Sequence, residues 1–337
     1  MKKYIVLAGV IALLSAGCAV PTKIKGVNYL QTEQITMDSR ESYVSLLRVK
    51  NIGANTVAFI PFLQQSAPDR INVHLTDNVT DNQLRAGIRD AKALGFQIIL
   101  KPQILVHNSW AGEIQMADDL NWRQWFNSYT KAIEHYADIA QEEKVDIMVI
   151  GTELNQTGHL PFWQELIAHI RSRFRGKLTY AAHNVAGIKQ FRYWRLLDSI
   201  ALTLYPSLGD KPERNAMTLH IKKTVDDLKA ISIQYKKPLW IAEVGIPSRY
   251  GAQLKPWGWQ GVDIHANPPD EDLQALVLDI WLDALKGKWS YGVMLWNWSS
   301  DPYAGGSQDS GFTIQNKRAE QVIACHWINQ CEQPNLH

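Results

Sequence analysis

Short apolar runs alternate with stretches of helical spacing along the whole chain, and the pattern repeats eight times. Each apolar run is typical of a strand that is covered on both faces, as in a parallel sheet wrapped by helices. The predicted strands are residues 23–30, 54–62, 96–103, 145–152, 177–184, 199–206, 238–245 and 292–298.

The stretches between these runs place apolar residues three and four positions apart, as one face of an amphipathic helix does. The predicted helices lie around residues 43–49, from near 81, through 122–136, and at 162–173, 187–197, 217–235, 270–285 and 318–329. Eight strands alternating with helices, with no hairpin signal between them, predict an α/β fold, a single (β/α)8 TIM barrel. A doubly wound open sheet is the alternative, but the sequence lacks the glycine-rich phosphate loop expected after an early strand.

Composition and charge narrow the class of partner. The 337 residues are 46% hydrophobic and 20% charged, as is ordinary for a globular protein. A formal net charge of +2 gives no basic surplus to hold a nucleic acid. The 13 Trp and 12 Tyr are unusual, and several fall near predicted strand ends, where aromatic faces could stack on sugar rings.

The first residues have the features of an export signal. A basic start precedes an apolar run at residues 4–14, which is too short to span a bilayer. "LSAGC" resembles a bacterial lipoprotein lipobox, so residues 1–17 would be the signal peptide and Cys18 the lipidated first residue. Ala19 then favours the outer membrane of a Gram-negative cell envelope, and residues 18–337 form one catalytic domain. An ordinary signal peptide with an incidental cysteine is the alternative.

Other motifs indicate few additional groups. Cys325 and Cys331 are an even pair in an exported chain, and a disulfide between them is plausible in an oxidising compartment; two free thiols are the alternative. The sequence has no HExxH and no clustered Cys/His spacing, so we expect no metal site and no cofactor. It has no GxSxG either, which argues against a serine hydrolase. We expect a monomer.

Polar, titratable and aromatic side chains collect at the carboxyl ends of the predicted strands, whereas the amino ends of the same strands show no such concentration. In a (β/α)8 barrel, that end carries the chemistry. The side chains concerned are Asn28, Tyr29, Lys101, Gln103, Glu153, His183, Asn184, Tyr205, Glu243, Trp296 and Asn297. The asymmetry predicts a functional site at that mouth.

Two of these residues, Glu153 after strand four and Glu243 in strand seven, would face each other across the mouth. Two carboxyl groups about 5–5.5 Å apart are the apparatus of a retaining glycosidase, and about 6.5–9.5 Å would imply inversion. One must keep its proton through a raised pKa while the other stays ionised. Either glutamate alone would more commonly be a helix cap or an ion-pair partner, but the pair among aromatic and amide neighbours predicts sugar-bond cleavage.

The motifs at these strand ends resemble a known family. "GTEL" on strand four, "WIAEVG" on strand seven and Trp296 on strand eight look like clan A of the glycoside hydrolases. "LKPQ" after strand three and "DSGFTIQNKRAEQVI" at residues 309–323 are most similar to glycoside hydrolase family 113, the β-1,4-mannanase-like barrels. The resemblance covers essentially all of the chain after the signal peptide.

That resemblance implies roles for individual residues. Glu153 would be the acid/base and Glu243 the nucleophile, with Tyr205 hydrogen-bonded to the nucleophile and Trp296 forming the floor under the sugar. Most clan A enzymes have Asn directly before the acid/base, whereas this chain has Thr152. The resemblance therefore defines the substrate less sharply than the reaction.

Further candidates for sugar binding are Lys101, His183, Asn184, Asn28 and Trp257. Lys101 could instead pair with a neighbouring carboxylate. Trp257 and Trp259, in the long loop after strand seven, could form a sugar platform or anchor the loop. Trp110, after strand three, is similarly ambiguous.

The sequence thus predicts a lipid-anchored retaining glycosidase whose partner is a β-linked, possibly mannan-like, polysaccharide or oligosaccharide. A lipoprotein scaffold that binds glycan without cutting it would keep the aromatic residues but would not need both glutamates. A transglycosylase would use the same two residues and differ only in the acceptor.

Overall fold

A closed barrel of eight parallel strands forms the centre of the molecule in the computed structural model, which describes residues 23–258 and 267–331. The strands are β1 (Ile24–Leu30), β2 (Thr56–Phe59), β3 (Gln97–Leu100), β4 (Ile147–Thr152), β5 (Lys177–His183), β6 (Ile200–Leu204), β7 (Leu239–Val244) and β8 (Gly292–Ser299). Each strand pairs with its neighbours in chain order, and β8 closes the barrel on β1. The predicted (β/α)8 barrel is confirmed.

In the part of the chain that the structure describes, eight α-helices surround the barrel. They are α1 (Arg40–Asn51), α2 (Asp81–Ala93), α3 (Asp119–Glu142), α4 (Phe162–Arg173), α5 (Asn184–Gln190), α6 (Arg214–Tyr235), α7 (Glu271–Ala284) and α8 (Arg318–Ile328). Several begin at side-chain caps that satisfy the first free N–H groups, such as the capping box of Thr80 and Gln83 before α2.

The helix predicted at residues 187–197 is shorter and begins earlier than its spacing suggested. α5 ends at Gln190, and only a 3₁₀ turn follows at Trp194–Leu196. Phe191 leaves the helix because its ring stacks on Tyr180 of β5, with ring centres 4.3 Å apart. Tertiary packing therefore overrides the local helical pattern.

Two predicted strands prove to be broken. Prolines at 61 and 102 lack the N–H that a barrel strand would donate, so β2 ends at Phe59 and β3 at Leu100. After the prolines the chain pairs again outside the barrel, where Phe62–Gln65 runs parallel to Gln103–Val106. His74–Leu75 adds an antiparallel edge to Phe62–Gln65, which makes a three-stranded sheet beyond the ends of β2 and β3.

The apolar core has two layers. One lies between the strands and the helices, and the other fills the barrel interior up to Tyr205 and Trp296. Gly245, just after β7, is required for this packing because a Cβ there would lie 2.3 Å from the carbonyl oxygen of Trp296. The backbone of β7 therefore approaches β8 closely beneath the mouth.

Cys325 and Cys331, at the end of α8, form a disulfide, one of the two alternatives that the sequence left open. Cys18, the predicted signal peptide of residues 1–17 and Trp259 lie outside the described residues. Among the described residues, no helix has the length and apolar character needed to cross a bilayer.

Candidate active site

Glu153 follows β4 directly and adopts a left-handed backbone conformation, with φ of 58°. Its N–H donates to the carbonyl of Ala181 on β5 at 2.9 Å. Residues other than glycine rarely adopt this conformation, and where they do the site is commonly functional. The turn that ends the apolar strand β4 therefore places the Glu153 carboxylate at the mouth of the barrel.

Three side chains donate hydrogen bonds to the Glu153 carboxylate. Thr203 Oγ1 lies 2.5 Å and His183 Nδ1 3.0 Å from Oε1, and Trp110 Nε1 lies 2.5 Å from Oε2. Burial raises the pKa of Glu153, whereas the hydrogen bond from His183, the charge of that ring where it is protonated, and the hydrogen bonds from Thr203 and Trp110 lower it; the net pKa lies below its usual value. The ligand-free site therefore favours the ionised carboxylate.

Glu243, in β7, is also surrounded by donors. Lys101 Nζ and Gln103 Nε2 both contact Oε1, and the Tyr205 hydroxyl donates to Oε2 at 2.8 Å. Lys101 is fully buried, and its ammonium lies 5.1 Å from the centre of the Trp296 ring, a cation–π distance. Lys101 thus pairs with a carboxylate, the alternative that the sequence left open.

The two glutamates act on the same buried groups. Burial lowers the pKa of Lys101, and the charges of both Glu243 and Glu153 oppose that shift. Burial likewise raises the pKa of Tyr205, and both carboxylates add to the effect. Thr203, which contacts Glu153, and Tyr205, which contacts Glu243, lie two positions apart at the end of β6, so the ends of β4 and β7 open onto one site.

The order of the two acidities differs from the expected asymmetry. Burial raises the pKa of Glu243, the charge of Glu153 adds to it, and the net pKa lies above its usual value despite Lys101 and Tyr205. Glu243 is the deeper group, with 6% of its side chain exposed against 16% for Glu153. Burial therefore weighs more on Glu243, whereas donors dominate at Glu153.

The remaining predicted residues fall into different environments. Asn28 is fully buried, and its Nδ2 donates to the carbonyls of Ala242 at 3.0 Å and Leu295 at 3.1 Å. This amide ties β1 to β7 and β8 inside the barrel, so we leave it out of the proposed sugar contacts. Thr152 is buried, and its hydroxyl has no partner among the described residues.

Trp257 differs from the other candidates because it is 44% exposed in the loop after β7. His183 and Asn184 lie at the end of β5 and the start of α5, next to Glu153. Trp296 is buried at the end of the barrel interior, and a cis peptide bond joins it to Asn297.

Sequence reasoning assigned no role to Thr203 or Gln103 and left Trp110 undecided. Thr203 lies two positions before Tyr205, so both side chains face the same side of β6, and this period could have identified it. Gln103 reaches the mouth only because the chain pairs again after Pro102. No local signal in the sequence shows that second pairing.

One cluster elsewhere in the described residues has the side-chain types of a metal site. Asp279, Asp283 and His326 place ligand atoms within 4.8 Å of one another on α7 and α8. Asp279 already accepts from Arg214 at 2.5 Å and pairs with His326 at 2.6 Å. We interpret the group as an ion-pair network between helices.

Comparison with known proteins identifies the family of this chain. The sequence profile of Glycoside Hydrolase Family 113 matches residues 29–317. A family 113 β-1,4-mannanase superposes with a TM-score of 0.81 at 25% identity, covering 91% of this chain and 99% of that one. A family 113 β-mannanase from Alicyclobacillus acidocaldarius, in complex with ManMIm, gives 0.81 at 26% identity, with 92% and 98% covered.

A β-glucuronidase from Ruminococcus gnavus shares the fold alone, with a TM-score of 0.61 at 15% identity, over 91% of this chain and 50% of that one. No curated protein matches the chain. The family profile spans most of the barrel, including both strand ends that carry the glutamates. The chain therefore belongs to glycoside hydrolase family 113.

Proposed function

We propose that this glycosidase cleaves β-linked glycan with retention of configuration, using Glu153 as the acid/base and Glu243 as the nucleophile. The observation that carries the proposal is the pair itself, two carboxylates at the ends of β4 and β7 that contact Thr203 and Tyr205, two positions apart at the end of β6. Family membership supplies the reaction class, and the "GTEL" and "WIAEVG" motifs supply the two roles.

In the first step, Glu153 gives its proton to the glycosidic oxygen while a Glu243 oxygen attacks the anomeric carbon. The C–O bond to the leaving sugar breaks, and a glycosyl ester to Glu243 forms. In the second step, Glu153 takes a proton from water, which attacks the same carbon and releases Glu243. Lys101, Gln103 and Tyr205 stabilise the carboxylate that leaves in this step.

The relative pKa values of Glu153 and Glu243 in the ligand-free protein affect this reaction cycle. The first step needs a protonated Glu153 and an ionised Glu243, whereas the resting donors favour the opposite distribution. Only a fraction of the free enzyme then carries the productive arrangement at any pH. We expect a bell-shaped dependence of kcat/KM on pH, whose two limbs belong to the coupled pair.

We propose a β-1,4-mannan or its oligosaccharides as the substrate class, because two structural neighbours over nearly the whole chain are described as β-mannanases. Trp296 forms the floor of the site beside Lys101, and Trp257 offers an exposed ring at the rim. Aromatic faces of this kind suit the apolar faces of sugar rings. Thr152 lies directly before the acid/base, where most clan A enzymes have Asn. Its hydroxyl is shorter than the amide of that Asn.

A glycan-binding scaffold is the competing proposal, and one substitution separates the two. Glu243→Gln should abolish turnover of an activated aryl β-glycoside while the variant still binds glycan. Azide or formate should partly restore turnover in Glu243→Ala and give adducts of inverted anomeric configuration. If the wild-type protein binds β-glycans but turns over none of a broad panel, the scaffold proposal is supported and the enzyme proposal is contradicted. Transglycosylation would appear as longer products when acceptor sugar is added.

We also propose that Cys18 carries a lipid anchor in the cell envelope, on the strength of "LSAGC" at the end of the signal peptide. Labelled palmitate fed to expressing cells should enter the wild-type protein, and Cys18→Ser should be unlabelled. Equal labelling of both proteins would contradict the anchor.

A further inference from the structure

A chain of hydrogen bonds runs from Glu153 through His183 to Asn184. The proposed reaction assigns no step to His183 or Asn184. His183 ends β5 and Asn184 begins α5 with a left-handed φ of 52°. Both were expected to bind sugar. In the structure, each also contacts a protein group on both sides.

The amide of Asn184 can have only one orientation. Its Oδ1 lies 3.0 Å from the backbone nitrogen of Tyr205, which can only donate, so the oxygen must be on that side. Its Nδ2 therefore faces His183 Nε2, at 2.9 Å, and must be the donor there.

That orientation determines which nitrogen of His183 carries the proton. Nε2 accepts from Asn184 and so has no hydrogen, which leaves the hydrogen of the neutral ring on Nδ1. Nδ1 lies 3.0 Å from Glu153 Oε1. The contact with Asn184 therefore fits the Nδ1–H tautomer, which donates to Glu153.

The donors are divided unequally between the two oxygens of Glu153. Oε1 accepts from both His183 and Thr203, which uses both of its lone pairs. Among the described residues, Oε2 accepts only from Trp110 Nε1, which leaves its second lone pair open on this side. Trp110 also packs edge-on against His183, with ring centres 4.8 Å apart, and closes this side of the carboxyl group.

We propose that His183 and Asn184 are positioning residues for the acid/base: through the fixed Nδ1–H tautomer of His183 they occupy Glu153 Oε1 and direct the catalytic proton to Oε2. This inference rests on the proposed roles of the two glutamates. A donor on Oε1 also stabilises the ionised form, so His183 makes Glu153 a stronger acid.

The tautomer is measured first and needs no substrate. In protein labelled with ¹⁵N-histidine, the imidazole resonances of His183 are assigned as those missing from His183→Leu. We expect the Nδ1–H form in the wild type and loss of that fixed form in Asn184→Gly, a variant that tolerates the left-handed backbone. A wild-type ring protonated on Nε2, or on both nitrogens near neutral pH, would overturn the inference.

Kinetics then test the consequence for Glu153. In His183→Leu the acidic limb of kcat/KM, measured on an unactivated β-glycan, should move up by about one pH unit, because Glu153 is the stronger acid of the pair and a donor to its ionised form is lost. The loss in kcat should be about tenfold larger for that glycan than for an activated aryl glycoside, whose leaving group needs little protonation. An unmoved limb with equal losses on both substrates would overturn the inference.

His169→Leu is the matched control, because His169 also contacts a glutamate, Glu134 at 3.2 Å, but lies on the outer helix α4. It should leave both substrates and both limbs unchanged. Failure of the wild type on every β-glycan would instead remove the proposed function, while the tautomer measurement would still report on the hydrogen-bond chain.

Discussion

At the scale of single residues, Tyr205 links the two halves of the site. Its hydroxyl donates to Glu243, and its backbone amide orients Asn184 on the side of Glu153. One residue at the end of β6 therefore supports both carboxylates. A substitution that removes only the hydroxyl separates these contributions, since the backbone amide remains.

Tyr205→Phe should move the alkaline limb of kcat/KM to higher pH, because Glu243 is the weaker acid of the pair and its pKa sets that limb. The hydroxyl lowers the pKa of Glu243, and its removal lets burial raise that pKa further, so the nucleophile ionises only at higher pH. We expect kcat/KM at the optimum to fall about 10- to 100-fold, the size of one lost hydrogen bond to a charged group. The profile is measured on an activated aryl glycoside, with exposed Tyr303→Phe as the control. A limb that stays in place would contradict this role.

The positions of Glu153 and Glu243 could be predicted from the sequence because each follows from a local pattern, an apolar strand meeting a charge. Their relative acidities could not. Thr203 reaches Glu153 from a strand two places away, and the greater burial of Glu243 arises from the whole barrel interior. Neither contact is visible in a short segment of sequence.

At the scale of elements, α2 and the end of α3 are joined by a compact ion pair. Glu143, directly after α3, accepts from Arg89 Nε at 2.9 Å and Nη2 at 2.6 Å, and from Arg85 Nη1 at 3.1 Å. The hydrogen bond from Arg89 is the main cause that lowers the pKa of Glu143, with burial opposing it. Its folded pKa therefore lies below its unfolded value.

Glu143→Gln should lower the free energy of unfolding by about 1 kcal/mol near pH 7, a value reduced for the exposure of Arg89. Because the folded pKa is depressed, this stabilisation is present above the ordinary glutamate value of about 4.3 and disappears as the pH falls through the folded pKa. Urea unfolding at pH 7 and at about pH 3 measures the difference. Glu142 also pairs with Arg85, but its side chain is 60% exposed. Glu142→Gln should therefore lower the free energy of unfolding much less than Glu143→Gln does. Equal losses of stability in the two variants would contradict the account.

Element boundaries were predictable where the hydrophobic period ran uninterrupted, as in α4, which the sequence placed at residues 162–173. The period failed where backbone chemistry or packing intervened. Prolines 61 and 102 split two predicted strands and created the small outer sheet, and the stacking of Phe191 on Tyr180 ended α5 early. Of these outcomes, only the interruption of the two strands at the prolines had a visible sequence signal.

At the scale of the whole molecule, the barrel brings together residues that are 90 positions apart in the chain (243 − 153 = 90), and strand order alone sets that meeting. Alternation of strands and helices predicted this closure, and family 113 membership agrees with it. The identity of the sugar is a property of the whole cleft, including its loops, so the sequence could name a reaction more sharply than a substrate.

The most direct test of the central claim is to trap the glycosyl-enzyme. An activated 2-deoxy-2-fluoro β-mannoside slows the second step, and peptide mass spectrometry then locates the bound sugar. The account predicts one adduct, on the peptide carrying Glu243, and none in Glu243→Gln. An adduct on Glu153, or turnover that inverts the anomeric configuration with no adduct, would contradict it.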